Sequence, residues 1–486
     1  MNALARRHAR SEQAHSAKPL VVDLDGSLLK SDVLIESMMA LLRRKPLLAL
    51  MLPLWLLAGR AHLKREIARR VVLDVHLLPY DEELLEHLRG ERQRGRRLIV
   101  ATGSDEILAT DIAEYLGLFD SIIASDGDTN LCGTRKRDRL IAEFGERGFD
   151  YVGNEHADLP VWRAADRKLA VGVSSRLSRT LHEEGRVERM FDRPRQSLDL
   201  YIRALRLHQW LKNLLVLAPL FAAHRMLELP LLAGAATAFI AFGLCASSAY
   251  LLNDLLDLSA DRRHPRKRAR PFASADLALT TGLWLSPALL GVGLLIAASI
   301  SIEFLAVMTL YYVLTVAYSF HLKRIVLLDA MTLSGLYGLR ILAGAVALGI
   351  TLSPWLGAFS MFAFLSLAML KRFTELDAAR SEDGRVVTLR SYESEDRTLL
   401  LVLGGAAGYL AVVVLALYVD SPAARANYDR VEVLWAICPL LLYWISHAWL
   451  TAHRKKMHDD PVVFAVTDRT SQVLLVLMGA VALAAV

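Results

Sequence analysis

An asparagine, three aspartates and a block of basic residues lie together in one short stretch of the chain. The aspartates are spaced at i, i+3 and i+7, which would place them on one face of a helix, where carboxylates can gather around Mg²⁺. The residues that follow, Arg262–Pro271, include six lysines and arginines, which bind phosphate oxygens through charge-assisted hydrogen bonds. The asparagine and the aspartates are Asn253, Asp254, Asp257 and Asp261.

The position of this stretch indicates where its chemistry takes place. It follows the uncharged apolar run 230–252, which is long enough to cross a bilayer. A solvated loop that obeys the positive-inside rule would account for the arginines but not for the carboxylate spacing. The pattern therefore predicts a site for magnesium and a diphosphate at a membrane surface.

A second group of polar residues follows apolar runs in the first third of the chain. The runs PLVVDLDG, RLIVATG and FDYVGN read as buried strands that end in polar loops, joined by helical segments. They predict a doubly wound parallel sheet with a site at the carboxyl ends of its strands. An Asp-Gly turn alone would explain the first loop, but not the ordered set of Asp23, Asp25, Thr102, Lys136, Asn154 and Asp158.

The chain of 486 residues is too long for one ordinary domain, and its apolar residues are segregated. It is 54% hydrophobic and 22% charged; residues 1 to about 200 are mixed, whereas 208–486 alternate apolar runs with short charged loops. The basic tail 1–19 lacks the apolar core of a signal peptide, so we expect a cytoplasmic N-terminal domain. Three cysteines without metal or disulfide spacing are typical of a reducing compartment, and the net charge of +6 favours membrane-surface loops over nucleic acid.

Nine apolar runs predict an all-α bundle of nine transmembrane helices. The loops expected inside are rich in lysine and arginine, and those expected outside are poor in them, which places the N-terminal domain on the cytoplasmic side of a bacterial-type inner membrane. The runs are 208–223, 230–252, 279–300, 304–320, 330–349, 355–370, 399–419, 432–450 and 472–486.

The stretch NDLLDLSADRRHPRKRARP (253–271) resembles the first aspartate-rich motif of the UbiA superfamily of intramembrane prenyltransferases. Its continuation HPRKRARP is similar to the branch that transfers 5-phosphoribose to decaprenyl phosphate. Leu207 departs from this branch, where proline is more frequent. The resemblance extends to RLHQWLKNLLVLAP (206–219), the segment 318–345, KRF (371–373) and DPVVFAVTDR (460–469).

The resemblance to UbiA enzymes implies a role for each polar residue of this region. Asp254 and Asp257 would be catalytic by holding the magnesium that neutralises the departing diphosphate, with Asn253 and Asp261 as further ligands. For Arg340, which lies within a predicted span, a phosphate contact and a structural ion pair are both open, and His264 is a phosphate donor, a ligand or a structural residue. The expected phosphate-binding residues are Lys212, Asn213, Asn253, His264, Lys267, Arg268, Arg270, Lys323 and Arg340.

The polar set in the first third resembles the haloacid dehalogenase (HAD) phosphatase superfamily. The resemblance implies that Asp23 attacks phosphorus, that Asp25 protonates the leaving oxygen, and that Thr102 and Lys136 hold the phosphoryl oxygens. The implied magnesium ligands are Asp23, Asp25, Asn154 and Asp158. Asn154 stands where many HAD enzymes have aspartate, although asparagine can ligate through its carbonyl oxygen.

Together these patterns predict a multidomain membrane enzyme. The expected parts are the tail 1–19, a Rossmannoid HAD-like domain over 20–175 with a helical cap at about 31–95, a linker or interfacial helix over 176–205, and a UbiA-like domain over 206–486. Within the cap, the stretch LLALMLPLWLLAG is either cap core or a surface that rests on the bilayer.

The expected reaction is Mg²⁺-dependent transfer of 5-phosphoribose from phosphoribosyl diphosphate to a polyprenyl phosphate, followed by removal of the 5-phosphate in the HAD-like domain. A homo-oligomer is left open. An aromatic prenyltransferase using a polyprenyl diphosphate is the alternative, but the acids of the loop after residue 371 lack the spacing of a second aspartate-rich motif. A transporter is disfavoured because the charged clusters lie at one membrane face and not at mid-depth.

Overall fold

The computed structural model describes residues 18–194, 196–383, 392–457 and 461–486. The chain divides into two compact units, Met1–Leu205 with Tyr250–Leu285, and Arg206–Ala249 with Ser286–Val486. The Asp-rich segment, defined here as Asn253–Pro271, therefore belongs to the same unit as the N-terminal domain. Asp460, which is part of one motif quoted above, lies outside the described residues.

The first unit is built on a six-stranded parallel sheet with the strand order β3-β2-β1-β4-β5-β6. Leu20 and Val22 pack into one hydrophobic cluster and Val21 into another, because successive side chains of a strand point to opposite faces. The parallel sheet is thus confirmed. The strands are β1 (Leu20–Val22), β2 (Leu98–Asp105), β3 (Ser121–Ser125), β4 (Asp150–Gly153), β5 (Lys168–Val171) and β6 (Val187–Phe191).

Helices join the strands, and several of them form an insertion between β1 and β2. The insertion begins with the helix Val33–Arg44, called here the insertion helix, whose first turn is capped by the Asp32 carboxylate accepting from the Ile35 backbone amide. The α-helices of this domain are Val33–Arg44, Leu52–Leu57, Arg60–Ala68, Glu82–Gln93, Glu106–Leu116, Thr134–Phe144, Leu159–Ala164, Ser175–Glu184 and Leu198–Leu205.

The segment 176–205 contains more than the linker or interfacial helix expected there. Strand β6 lies within it and pairs with β5 in the sheet. The helix Leu198–Leu205 follows after it. The charged residues Glu188 and Arg189 stand side by side in VERMF and interrupt the alternation that would have indicated a strand.

The Asp-rich segment is not one continuous helix. The long helix Leu229–Leu256 ends before Asp257, and a short helix, Leu258–Arg263, begins after it. The prediction that the three carboxylates share one face of a single helix is therefore wrong. Asp257 lies at the junction between the two helices.

Seven helices among the described residues are long and apolar enough to cross a membrane, so the chain is an integral membrane protein. Two of the nine predicted spans do not meet that length: 208–223 forms a 3₁₀ helix followed by a short α-helix, and the last forms Arg469–Ala485. Nine spans remain a prediction. The seven are Leu229–Leu256, Leu279–Ile300, Ile302–Phe320, Leu328–Ala347, Pro354–Asp377, Asp396–Asp420 and Val431–His453.

The 3₁₀ helix Leu207–Leu217 packs closely against the helix Leu328–Ala347 in the second unit. A Cβ atom at Gly344 would lie 1.9 Å from the carbonyl oxygen of Val216. Only glycine therefore permits this approach. The remaining short helices of this unit are Ala218–Ala222, Pro422–Asn427 and Pro461–Thr467.

Candidate functional site

Asp23 and Lys136 form a buried ion pair at the carboxyl edge of the sheet. Asp23 directly follows β1, and Lys136 lies in the first turn of the helix Thr134–Phe144. The Lys136 Nζ donates to Asp23 Oδ1 at 2.6 Å, and both residues are less than 6% exposed. The predicted nucleophile and the predicted phosphate-binding lysine are therefore together.

Asp25 is held by two hydroxyl groups from β2. Thr102 Oγ1 and Ser104 Oγ donate to Asp25 Oδ2 at 3.2 and 2.6 Å. The Val33 backbone amide donates to the other carboxylate oxygen at 2.7 Å. Thr102 is therefore brought to the site as predicted, and Ser104 is a contact that the motif ATGSD contained but that sequence reasoning missed.

Asn154 lies against the loop that carries Asp23 and Asp25. The Ser27 hydroxyl is 3.2 Å from both Asp23 Oδ2 and Asn154 Oδ1. A Cβ atom at Gly26 would lie 2.1 Å from the Asn154 side-chain nitrogen, and Gly26 has a φ of 73°. Glycine is thus required there for both reasons.

Asp158 faces the protein and not open space. Tyr151 Oη donates to Asp158 Oδ1 at 2.7 Å, and the backbone amides of Asn154 and Glu155 donate to Oδ2 at 3.0 and 3.2 Å. Lys136 lies 3.7 Å away. The carboxylate therefore fixes the loop that presents Asn154.

Burial and neighbouring charges shift the pKa values of the central pair. Burial raises the pKa of Asp23 to about 7, although Lys136 opposes this shift. Burial lowers the pKa of Lys136, but the carboxylates of Asp23 and Asp158 outweigh burial and hold its pKa above its ordinary value. Lys136 therefore stays protonated near neutral pH and pairs with Asp23 once that carboxyl group is ionised.

Magnesium at this edge would be held by Asp23 and Asn154. Asp23 Oδ2 and Asn154 Oδ1 converge on the same hydroxyl group, and carboxylate and amide oxygens are the donors that Mg²⁺ takes together with several waters. No group of three histidine, cysteine or acidic side chains suited to a metal occurs in the described part of the chain. The donor set thus suits a hydrated ion with few protein ligands.

Arg193 supports the loop that carries Asp23 and Asp25 from outside the predicted domain. Its guanidinium donates to the carbonyl oxygens of Gly26 and Ser27, each at 2.8 Å, and to Asp81 at 2.9 Å. Sequence reasoning missed this residue because it lies in the segment expected to be a linker. Its hydrogen bonds to Gly26 and Ser27 join parts of the chain that are far apart in sequence, so only the folded structure reveals them.

In the Asp-rich segment, two of the three carboxylates share one guanidinium. Arg270 Nη1 lies 3.1 Å from Asp254 Oδ1 and 2.6 Å from Asp261 Oδ2. Asp257 instead forms an ion pair with Arg43 of the insertion helix at 3.0 Å. The structure therefore brings Asp254 and Asp261 together and directs Asp257 to a different cation.

The basic loop, residues Arg262–Pro271, is held near its start by local hydrogen bonds and exposes several cations. His264 Nδ1 accepts from the backbone amides of Arg266 and Lys267 at 3.2 and 3.4 Å, which supports a structural role for His264. Arg268 is exposed, and Lys267 is partly exposed. The backbone amide of Asp257 donates to the backbone carbonyl oxygen of Asn253, one turn earlier in the chain.

In the second unit, Arg340 is buried among neutral groups. Its guanidinium donates to Asn213 Oδ1 at 3.2 Å, to the Leu336 carbonyl oxygen at 2.6 Å and to Tyr311 Oη at 3.1 Å. It also lies 5.2–5.3 Å from the ring centres of three aromatic residues, Phe242, Tyr311 and Tyr337. The structural alternative considered for Arg340, an ion pair, is not the contact observed.

The other two predicted phosphate-binding residues of this unit occupy different surroundings. Lys212 is 8% exposed and lies 6.0 Å from the ring centre of Tyr337, so it shares an aromatic neighbour with Arg340. Lys323 lies in the 3₁₀ turn Leu322–Arg324 and is partly exposed.

A buried ion pair close to the loop after residue 371 was missed. Arg372 pairs with Asp329, and Tyr318 Oη donates to Asp329 at 2.7 Å. Arg372 and Asp329 are 1% and 0% exposed. Both residues stand in segments quoted above, yet their pairing over 43 positions of sequence has no local signal.

Comparison with known proteins agrees with both halves of this description. The UbiA prenyltransferase family matches residues 214–469, and the haloacid dehalogenase-like hydrolase family matches residues 20–163. An uncharacterized protein, y4nM, of Sinorhizobium fredii is 37% identical over 93% of this chain and 88% of its own length.

Two further relatives match the membrane part. Nodulation protein NoeC of Azorhizobium caulinodans is 39% identical over 57% of this chain and 89% of its own length. Decaprenyl-phosphate phosphoribosyltransferase of Mycolicibacterium smegmatis is 31% identical over 58% of this chain and 90% of its own length. The chain therefore belongs to the UbiA prenyltransferase family and carries a haloacid dehalogenase-like hydrolase domain at its N-terminal side.

Proposed function

We propose that this protein transfers 5-phosphoribose from phosphoribosyl diphosphate to a polyprenyl phosphate and then removes the 5-phosphate. The observation that carries the transferase proposal is the position of Arg270 between Asp254 and Asp261. Two carboxylates and a cation that we expect to bind phosphate meet there. The relative from M. smegmatis, named a decaprenyl-phosphate phosphoribosyltransferase, matches this region.

The two carboxylates would hold magnesium, which supplies positive charge for the departing diphosphate. Their pairing with one guanidinium shows that they already converge on a positive charge. A cation bound by Asp254 and Asp261 would compete with Arg270 for the same oxygens. Arg270 would then be released to donate to a phosphate, where a planar guanidinium forms two parallel hydrogen bonds.

Arg340 is proposed as a second anion-binding residue. Its observed hydrogen bonds go to neutral oxygens, so they satisfy its N–H groups without neutralising its charge. A buried cation attracts an anion strongly because the surrounding protein screens it less than water does. Asn213 and the three rings hold the guanidinium in place for a phosphate.

The N-terminal site supports hydrolysis of a phosphate monoester. Asp23 Oδ2 attacks phosphorus as the ester bond breaks, while Lys136 offsets the phosphoryl charge. Asp25, held by Thr102 and Ser104, donates a proton to the leaving oxygen. Water then attacks the phosphorus of the aspartyl phosphate, gives a proton back to Asp25 and releases inorganic phosphate, which frees the Asp23 carboxylate. The product of the transferase step is such a monoester, because its ribose still carries a 5-phosphate.

We place both steps at the cytoplasmic face of the inner membrane in a protein of nine spans. The charge asymmetry of the loops supports this orientation. We also propose the domain boundaries that the sequence predicts, in which the phosphatase part ends before residue 206. Phosphoribosyl diphosphate and polyprenyl phosphate are the proposed partners, and an oligomeric assembly is compatible with either step.

The test supplies purified full-length protein with radiolabelled phosphoribosyl diphosphate, Mg²⁺ and polyprenyl phosphate in lipid. We expect diphosphate release only when both substrates are present, with the label in the lipid fraction. Lys267→Ala and Arg268→Ala should raise the KM for a phosphorylated substrate about tenfold, since each removes one charge-assisted contact. Arg89→Ala, on the helix Glu82–Gln93, is the matched control for loss of an exposed arginine. Wild-type kinetics in both loop variants would assign the loop to topology alone.

A further inference from the structure

The apolar segment, defined here as Pro46–Leu57, exposes most of its large side chains. No charged residue occurs between Pro46 and Gly59. Leu47, Leu50 and Leu57 are 81%, 76% and 84% exposed. Adjacent exposed leucines without polar residues between them are unusual on a surface that faces water.

The segment is nevertheless folded onto its domain. Trp55 is 7% exposed and belongs to the hydrophobic cluster on one face of the sheet. Leu48 and Leu52 pack against the same cluster. One side of the segment is therefore committed to the core, and the outward side is apolar as well. The cap-core interpretation accounts for only the first of these two sides.

The position of the segment identifies what covers the outward side. Arg43, three residues before Pro46, forms an ion pair with Asp257 at 3.0 Å. Asp257 directly follows the helix Leu229–Leu256, one of the seven membrane-spanning candidates. Both partners lie in the same compact unit. The apolar segment consequently starts beside the membrane end of a spanning helix.

Its length and its flanks match a helix that lies in the interface. The segment is a 3₁₀ helix followed by an α-helix of 6 residues, so at 1.5–2.0 Å per residue it reaches only about 20 Å, short of the ~30 Å hydrocarbon core. Exposed cations stand before and after it, at Arg44, Lys45 and Arg60. Basic residues beside an apolar face are typical of segments that bind lipid phosphates from the membrane surface.

We propose that the apolar segment is a membrane-surface anchor that inserts its exposed leucines between lipid acyl chains at the face where the helix Leu229–Leu256 ends. The occupant of this surface is the phospholipid bilayer. The flanking cations favour lipid phosphates, and the ion pair to Asp257 fixes the segment beside the membrane. The anchor holds the N-terminal hydrolase domain where a lipid-linked ester can enter it.

The test uses full-length protein in lipid nanodiscs. Cys132, Cys245 and Cys438 are replaced by alanine, and single cysteines are introduced as Leu50→Cys and Leu57→Cys for labelling with an environment-sensitive fluorophore. Glu183→Cys, at an exposed position on another helix of the domain, is the matched control. Lipids with a quenching nitroxide on the acyl chain report on contact with hydrocarbon.

We expect the probes at 50 and 57 to emit at shorter wavelength than the control and to lose at least half of their emission to the quenching lipids. The probe at 183 should keep its emission. Equal quenching at all three positions would overturn the proposal. So would probes at 50 and 57 whose emission depends on protein concentration and not on the quenching lipid, because a second copy or another protein would then cover the surface.

Discussion

At the scale of single residues, the N-terminal site depends on a charge pair that is almost completely buried. Lys136 serves both Asp23 and Asp158, and Tyr151 connects it to the second carboxylate. Removing one partner of such a pair leaves the other charge unpaired in a medium of low dielectric, which costs about 3–5 kcal/mol. Substituting Lys136 therefore confounds stability with catalysis, whereas substituting Asp23 by asparagine preserves shape and hydrogen bonding.

The pH dependence of the phosphatase step should report on Asp23. Its pKa is raised to about 7 by burial, and only the ionised carboxylate attacks phosphorus. Activity on a small phosphate ester at low Mg²⁺ should therefore fall as the pH drops below about 7. Bound magnesium favours the ionised form, so the midpoint should move to lower pH at high Mg²⁺.

The measurement is a pH–rate profile at two magnesium concentrations. A midpoint that stays fixed when magnesium is raised would contradict magnesium binding next to Asp23.

The same raised pKa means that ionising Asp23 lowers the free energy of unfolding. The stabilising contribution of Asp23 is complete below pH 3.8 and is lost as the pH rises through about 7. Thermal unfolding of wild type and Asp23→Asn over this range gives an independent check.

For the transferase step, Asp254→Ala and Asp261→Ala should each lower turnover at least ~100-fold, because each removes a carboxylate that would hold the metal. Asp276→Asn is the matched control, since Asp276 is an exposed aspartate of the same loop. The assay is diphosphate release, with correct membrane insertion checked by protease accessibility. Near-normal turnover in either alanine variant would remove the motif from the site.

At the scale of elements, the insertion between β1 and β2 is tied to the Asp-rich segment by ion pairs of very different burial. Glu36 accepts two hydrogen bonds from Arg262 at 2.6 and 3.0 Å, with side chains 4% and 7% exposed. Arg263 pairs with Asp74, and its side chain is 63% exposed. Buried pairs are costly to break, whereas exposed pairs contribute little.

Glu36→Gln should therefore destabilise the protein by about 3 kcal/mol, while Asp74→Asn should change stability by less than ~1 kcal/mol. The free energy of unfolding in detergent distinguishes them. The double variant Glu36→Arg with Arg262→Glu should recover part of the loss, because the pair is restored with reversed charge. Equal effects of the Glu36 and Asp74 variants would show that the buried pair does not tie these elements.

At the scale of the whole molecule, one chain carries a UbiA family region and a hydrolase domain. The Asp-rich segment and the parallel sheet belong to the same compact unit. This grouping agrees with the succession of reactions proposed above, in which the product of transfer would be the substrate of the phosphatase. It also explains why a phosphatase would be retained on a membrane enzyme.

If the steps are coupled, Asp23→Asn should keep diphosphate release within about twofold of wild type but accumulate the phosphorylated lipid, because an amide is not a nucleophile. Thin-layer chromatography of the labelled lipid, with and without added alkaline phosphatase, identifies the product. Asp126→Asn, an exposed aspartate of the same domain, is the control. Identical lipid products from wild type and Asp23→Asn would leave only the transferase.

From the sequence alone we could identify the candidate reactive residues and the order in which the strands and spans follow one another. Strand ends are marked locally by a change from apolar to polar residues, so Asp23, Asp25, Thr102, Lys136 and Asn154 were predicted to meet at one sheet edge. The second to the eighth predicted spans were equally clear, because a run of about twenty apolar residues is stable in the hydrocarbon core of a membrane. Both signals depend only on residues that are close in sequence, so they can be recognised before the structure is known.

Tertiary structure decided which side chains face one another. Periodicity placed three carboxylates on one face, but only Asp254 and Asp261 meet at Arg270. Asp257 lies at a break between two helices, and Arg43 reaches it from more than two hundred positions away. Strand β6 and Arg193 were missed because half-exposed edge strands and distant backbone contacts leave no periodic trace. Pairings of this kind depend on packing and on the burial of charge, which are properties of the folded chain.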